Sequence, residues 1–167
     1  MRWFTALAAV FKGGGSLAKP VEISHRLTAG GQPTADDLKA LKEQGFRSVV
    51  NLRRSGENNQ PLTPEEERAE AEAVGLAYYH LPVSPKELRN EFVEAFRQSV
   101  EDLPGPVFVH CGGGQRAGAF ALLHEADPNA SGEDVLRQAK MKGVSLPDPE
   151  VVDFIKQYMD AKGKPKP

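Results

Sequence analysis

Apolar and polar positions alternate along the chain with two different periods. Val21-Glu22-Ile23-Ser24 alternates with period two and predicts an edge strand. Leu27 to Gly31 follows as its hairpin partner or as a turn. Leu38 and Leu41 then recur at helical spacing after Thr34-Ala35-Asp36-Asp37. Thr34 suits the cap of that helix and Asp37 its positive end, and Gly45 stops it. Arg47 to Arg53 has a β-branched middle and predicts a strand, followed by a polar loop over 54–62. Thr63-Pro64-Glu65-Glu66 is a helix start with a cap and a proline in the first turn, and Gly75 ends that helix. Leu76 to Val83 is the next strand. Ser84-Pro85-Lys86-Glu87 repeats the start signal and predicts a helix from there to about Asp102, with Glu87 as the capping-box partner of Ser84. Pro104-Gly105-Pro106 turns the chain into Val107-Phe108-Val109-His110, an apolar run of the kind buried on both faces of a sheet. Ala117 to Ala126 reads as a helix. Two more helices start at Ser131 and at Asp148-Pro149, the second running to about Ala161.

Strands alternating with helices predict an α/β domain with a mostly parallel central sheet flanked by helices, spanning residues 20–161. In such sheets ligands bind beyond the carboxyl ends of the strands, and Cys111 lies at the end of the most apolar one. Residues 1–19 differ from the rest. Trp3 to Phe11 is apolar but too short to span a bilayer. It reads as a helical extension or as the apolar part of a signal peptide with Ser16-Leu17-Ala18 as a cleavage site, although Lys12 sits where such peptides are usually uncharged. Residues 162–167 are polar and expected to be a disordered tail.

A formal net charge of −2 gives no global attraction to nucleic acid or to anionic membranes. Any anion site is therefore local. The chain has one cysteine, which excludes an intrachain disulfide and suits a reducing compartment. The expected location is the cytoplasm, with export as the alternative if residues 1–18 are a signal peptide.

The local chemistry sits in His110-Cys111-Gly112-Gly113-Gly114-Gln115-Arg116. Glycines let the backbone approach a ligand closely, and a tight loop before a helix points several N–H groups inward as an anion nest. The same donors favour the thiolate of a cysteine at that spot. Arg116 supplies a planar fork for two oxygens of a tetrahedral anion. Core packing alone accounts for neither the glycines nor the arginine that closes the loop.

This loop resembles the signature of cysteine-dependent protein phosphatases. The resemblance extends to Ile23 to Leu27, Gly31-Gln32-Pro33, Phe46 to Arg53 and His80 to Val83. Together these look like the bacterial phosphatase-like domain also found fused to beta-lactamase-hydrolase-like proteins. The resemblance covers roughly residues 20–125. It implies a dual-specificity-phosphatase-like fold without cofactor or metal, with Cys111 as nucleophile, Arg116 as phosphate binder, and His110 and Gly112 to Gln115 around the substrate. The implied partner is a phosphorylated protein or a small phosphate.

Three departures stand out. The usual phosphatase loop places five residues between cysteine and arginine; here there are four, Gly112, Gly113, Gly114 and Gln115. The phosphatase-like domain and rhodanese sulfurtransferases share the shorter spacing. Ala117 replaces the common serine or threonine after the arginine. No aspartate stands near Pro85, where many relatives carry a general acid, and Glu87 is the nearest carboxylate. Three functions follow: a phosphatase working through a cysteinyl-phosphate, a sulfurtransferase working through a Cys111 persulfide, and a phosphate-binding module without turnover. His25 and His80 have no acid near them in sequence, and His124 reads as a packing residue. Arg53, Arg54, Glu57 and Asn58 line the pocket mouth or form a solvated polar loop. The Glu65 to Glu72 run reads as a solvated helix face.

Overall fold

The structure is a computed structural model that describes residues 19–162, so the expectations for the N-terminal run and for the tail beyond Lys162 lie outside the described residues. Five strands form one sheet in the order β1-β2-β5-β3-β4. They are β1 (Val21–Glu22), β2 (Leu27–Gly30), β3 (Ser48–Asn51), β4 (Ala77–His80) and β5 (Val107–His110). β1 pairs antiparallel with β2, and the remaining pairs are parallel. Among the described residues six helices accompany them: α1 (Ala35–Glu43), α2 (Pro64–Ala73), α3 (Asn90–Asp102), α4 (Gln115–Glu125), α5 (Gly132–Lys142) and α6 (Pro149–Lys162). Among the described residues, no helix is long and apolar enough to cross a membrane.

The sheet separates two apolar layers. Leu38 and Leu41 of α1 and Ala71 of α2 pack on Val49 and Phe108. Helices α3 to α6 cover Val50, Val107 and Val109 on the other face. Strand β5 lies at the centre, so all four of its residues are buried, as its unbroken apolar run requires. Its register sets Gly30, His110 and Asn51 side by side at the carboxyl edge, with His80 next to Asn51. Helix α4 is buried from Arg116 to Leu123 and threads the centre of the thicker layer. A side chain at Gly118 would meet Val144 Cγ1 at 2.6 Å, so glycine there lets the α5–α6 connection close over α4.

Three helix starts form capping boxes: Thr34 with Asp37, Thr63 with Glu66, and Ser131 with Asp134. The Asp148 side chain accepts the Glu150 N–H at the start of α6, as expected. The start signal at Ser84 is overturned. The Ser84 hydroxyl accepts the Lys86 N–H and its carbonyl accepts the Glu87 N–H, so the segment closes as a turn. Helix α3 begins six residues later at Asn90, behind Arg89. Its phase is set by the buried stripe of Val93, Phe96 and Val100, which a start at Ser84 does not extend. Glu87 is therefore no capping residue; it lies exposed, 3.8 Å from Arg89.

Candidate active site

The loop between β5 and α4 is built from its two ends. Strand β5 delivers Cys111 at the sheet edge, and Gly114 caps α4 with φ +98°, a left-handed conformation that glycine adopts without strain. The Gly114 N–H donates to Cys111 Sγ at 3.1 Å. The start of α4 leaves the N–H groups of Gln115 and Arg116 without intrahelical acceptors. The Gln115 side chain is committed elsewhere: its Oε1 accepts the Asp148 N–H at 2.8 Å and ties the loop to the start of α6. A cavity of about 230 Å³ opens beside the loop, lined by Gly113 and Gly114 together with Lys19, Val144 and Ser145. A larger cleft of about 750 Å³ lies between Ile23, Leu122 and Met141. Neither cavity is lined by Cys111 or Arg116, and Cys111 is 2% exposed, so the candidate site is defined by the chemistry of the loop and not by either opening.

Arg116 is buried and folded under the loop. Its Nη1 donates to Glu57 Oε1 at 2.7 Å and to the Val83 carbonyl at 2.7 Å, and its Nη2 donates to Glu57 Oε2 at 3.0 Å. These bonds, with a longer one from Nη1 to the Leu52 carbonyl at 3.5 Å, occupy three of the five guanidinium N–H groups, and the guanidinium also bonds the Cys111 side chain. Burial pulls the Arg116 pKa down, but the Glu57 bond and the neighbouring Cys111 outweigh it and hold the group firmly protonated.

Glu57 also accepts from Arg53 Nε at 2.9 Å. Arg53 is 4% exposed, so it is an interior cation rather than part of a solvated rim. Its Nη1 reaches Gln32 Oε1, and its Nη2 donates to the Asn58 carbonyl at 2.6 Å. Two buried guanidinium groups thus share one carboxylate, an excess of positive charge directly beneath the loop. Arg54 and Asn58 are exposed, so the polar reading of the segment holds for them.

Burial pushes the Glu57 carboxyl up, yet its bonds to Arg116 and Arg53 win and bring it from its ordinary 4.5 down to about 2. A carboxyl lowered on folding stabilises the native state above its unfolded pKa, and that stability is lost as pH falls through the folded value. Stability is therefore expected to drop between about pH 4.5 and pH 2. Thermal melts across this window should show a flatter profile for Glu57→Gln than for the wild type; equal slopes would remove Glu57 from the account.

His110 is fully buried and touches no open surface. Its Nε2 lies 2.8 Å from Glu67 Oε2, and its Nδ1 lies 3.1 Å from the Cys111 carbonyl oxygen. The expectation of a solvated face at Glu65 to Glu72 fails for Glu67, the one charged residue of the run that is 0% exposed. Its Oε1 accepts from Gln32 Nε2 at 2.6 Å. Burial raises the Glu67 carboxyl, but His110, Gln32 and Tyr78 together hold it below its ordinary value. Its signal was present in the helix phase: Pro64, Glu67 and Ala71 form the one buried stripe of α2, with an acid at its centre. The other histidines stand apart from the loop. His80 Nε2 lies 2.6 Å from the Arg53 carbonyl, His25 is exposed, and His124 packs edge-on against Phe96.

The family of phosphatase-like domains of beta-lactamase hydrolase-like proteins matches residues 22–128. The chain belongs to this family. Phosphatase-like domains of this kind occur in longer relatives. A beta-lactamase hydrolase-like protein of Agrobacterium fabrum is 37% identical over 77% of this chain and 30% of its own length. One from Xylella fastidiosa is 39% identical over 64% of this chain and 25% of its own length. The chain thus spans less than a third of these relatives. Among solved structures, a DUF442 protein of Shewanella putrefaciens CN-32 superposes with a TM-score of 0.71 at 21% identity, covering 87% of this chain and 91% of the other. Tk-PTP superposes with a TM-score of 0.66 at 17% identity, covering 85% and 96%. These likenesses establish the fold of the phosphatase-like domain as that of the protein tyrosine phosphatases.

Proposed function

We propose that this domain is a cysteine-dependent phosphatase acting on phosphomonoesters, of phosphotyrosine type or smaller. The observation that carries the reading is the state of Arg116. One edge is held by Glu57 and Val83, which leaves two N–H groups beside the Cys111 thiol. The Cys111 thiolate attacks phosphorus and forms an S–P bond while the ester P–O bond breaks and the leaving oxygen takes a proton from solvent water. Water then attacks phosphorus, the S–P bond breaks, and inorganic phosphate departs with the thiolate restored. Arg116 and the N–H groups at the start of α4 bind the equatorial oxygens, whose charge grows in the transition state. No aspartate occurs in the β4–α3 turn, so good leaving groups such as aryl phosphates should react faster than alkyl phosphates. Proteins of the same fold take more than one kind of phosphate: a cysteine-to-serine variant of TpbA of P. aeruginosa has been crystallised with pTyr, and SIW14 of S. cerevisiae is a PP-IP phosphatase.

The four-residue spacing favours a second reading, sulfur transfer through a Cys111 persulfide. Parallel assays separate the two. The phosphatase reading expects phosphate release from 4-nitrophenyl phosphate and no thiocyanate from thiosulfate plus cyanide. The reverse outcome establishes the sulfurtransferase. Oxyanion binding without either product leaves a phosphate-binding module, the reading that Ala117 and the missing aspartate support.

A further inference from the structure

We propose that Glu67 is a positioning residue for the catalytic loop, acting through His110 and Gln32 to aim the loop's N–H groups. A buried carboxylate is costly unless its oxygens are bonded, and an apolar residue between Pro64 and Ala71 would fill the same stripe without that cost. The two groups bound by the Glu67 carboxylate are the two that hold the loop's first carbonyls. His110 lies with Nε2 on Glu67 Oε2 at 2.8 Å and Nδ1 on the Cys111 carbonyl at 3.1 Å. Gln32 donates its side-chain amide to Glu67 Oε1 at 2.6 Å, and its backbone N–H donates to the Gly112 carbonyl at 3.1 Å.

The consequence follows from the trans peptide. In each peptide plane the carbonyl and the next N–H point in opposite directions. Drawing the Cys111 and Gly112 carbonyls toward the sheet therefore turns the Gly112 and Gly113 N–H groups away from it, toward the open side of the loop. Glycines at 112 and 113 have freely rotating peptides, and nothing lies within 4 Å of a side chain at 113. The external ties replace the restraint that bulkier residues would give. The Glu67 carboxyl stays ionised because His110, Gln32 and Tyr78 outweigh its burial.

The catalytic part of this inference rests on the phosphatase reading, but the test does not. The chain's one cysteine makes alkylation by iodoacetamide a report on Cys111 alone. Protection by inorganic tungstate then measures oxyanion affinity without turnover. Glu67→Gln keeps the size but sets an amide N–H against the donors of His110 or Gln32. The expected result is about a tenfold loss of tungstate affinity and of kcat/KM for 4-nitrophenyl phosphate, the scale of residues that orient binding groups from behind. Ala71→Gly weakens the same helix one turn on and is the structural control: it should lower Tm and leave tungstate affinity unchanged. If Glu67→Gln does not fold, Glu67→Asp, which withdraws the charge by one methylene, is read against the same control. Wild-type tungstate affinity in the folded Glu67 variant overturns the proposal. A wild-type protein that binds tungstate but releases no phosphate overturns the phosphatase reading, and a tungstate loss in the Glu67 variant then still supports the positioning role.

Discussion

Cys111→Ser is expected to abolish phosphate release while leaving the fold and oxyanion binding intact. The serine oxygen is smaller than sulfur and can accept the Gly114 N–H that now reaches Sγ at 3.1 Å. Cys111 is buried in the apolar cluster, so the smaller and more polar serine should cost some stability without loss of the fold. Chemistry demands the sulfur, because an unactivated hydroxyl is almost wholly protonated at neutral pH and, among the described residues, no carboxylate or free imidazole is bonded to position 111. His110, the neighbouring candidate, has both ring nitrogens committed to Glu67 and to the Cys111 carbonyl. Deleting the nucleophile of a covalent mechanism costs roughly a million-fold in turnover, which puts the variant below detection. Tungstate binding followed by calorimetry should stay close to wild type, since the donors are backbone groups and Arg116. Turnover near the wild-type rate would remove Cys111 from the mechanism.

The alternation of strands and helices was legible because each element carries its own local signal. Period-two and helical patterns, capping residues and glycine stops together predict the parallel sheet and the central place of Val107 to His110. The one failed helix start, at Ser84, shows the limit of a local signal. A serine, a proline and a glutamate two residues later fit a capped helix and a turn equally well. The choice was made by Val93, Phe96 and Val100, whose fit against α4 sets where the helix begins.

In the site, the loop itself was legible and its supports were not. Cys111, the glycines and Arg116 are adjacent in sequence, so their convergence follows from one turn. Glu57 and Glu67 reach the loop across 59 and 43 residues of chain. In the sequence both lie in polar stretches where a solvated carboxylate is the ordinary reading. Asn51, Arg53 and Gln32 carried the family resemblance as motif letters. Their physical role appears only in the network that joins Glu67 to Gln32, Gln32 to Arg53, and Arg53 to Glu57, with the Asn51 side chain accepting the Arg53 backbone N–H.

Arg116→Lys is expected to lose about two orders of magnitude in kcat/KM, the scale of removing one aimed transition-state donor. The substitution preserves the charge, so a role as a simple counter-ion predicts little change. The geometry predicts otherwise. The guanidinium divides its work between two edges. One edge meets both oxygens of Glu57, at 2.7 and 3.0 Å, and also donates to the Val83 carbonyl. The other edge interacts with the Cys111 side chain. A lysine ammonium concentrates its three donors at one atom. If it stays with Glu57, it leaves the anion with backbone donors alone. If it turns to the anion, Glu57 keeps Arg53 and the Arg54 backbone but loses its two-point partner, and the Val83 carbonyl loses its donor. Both arrangements weaken transition-state binding, while ground-state phosphate, which needs fewer aimed bonds, should be affected less. The kinetic signature is a large fall in kcat with a smaller rise in KM. A lysine variant that works nearly as well as the wild type would mean that charge, and not the fork, is what the loop requires of position 116.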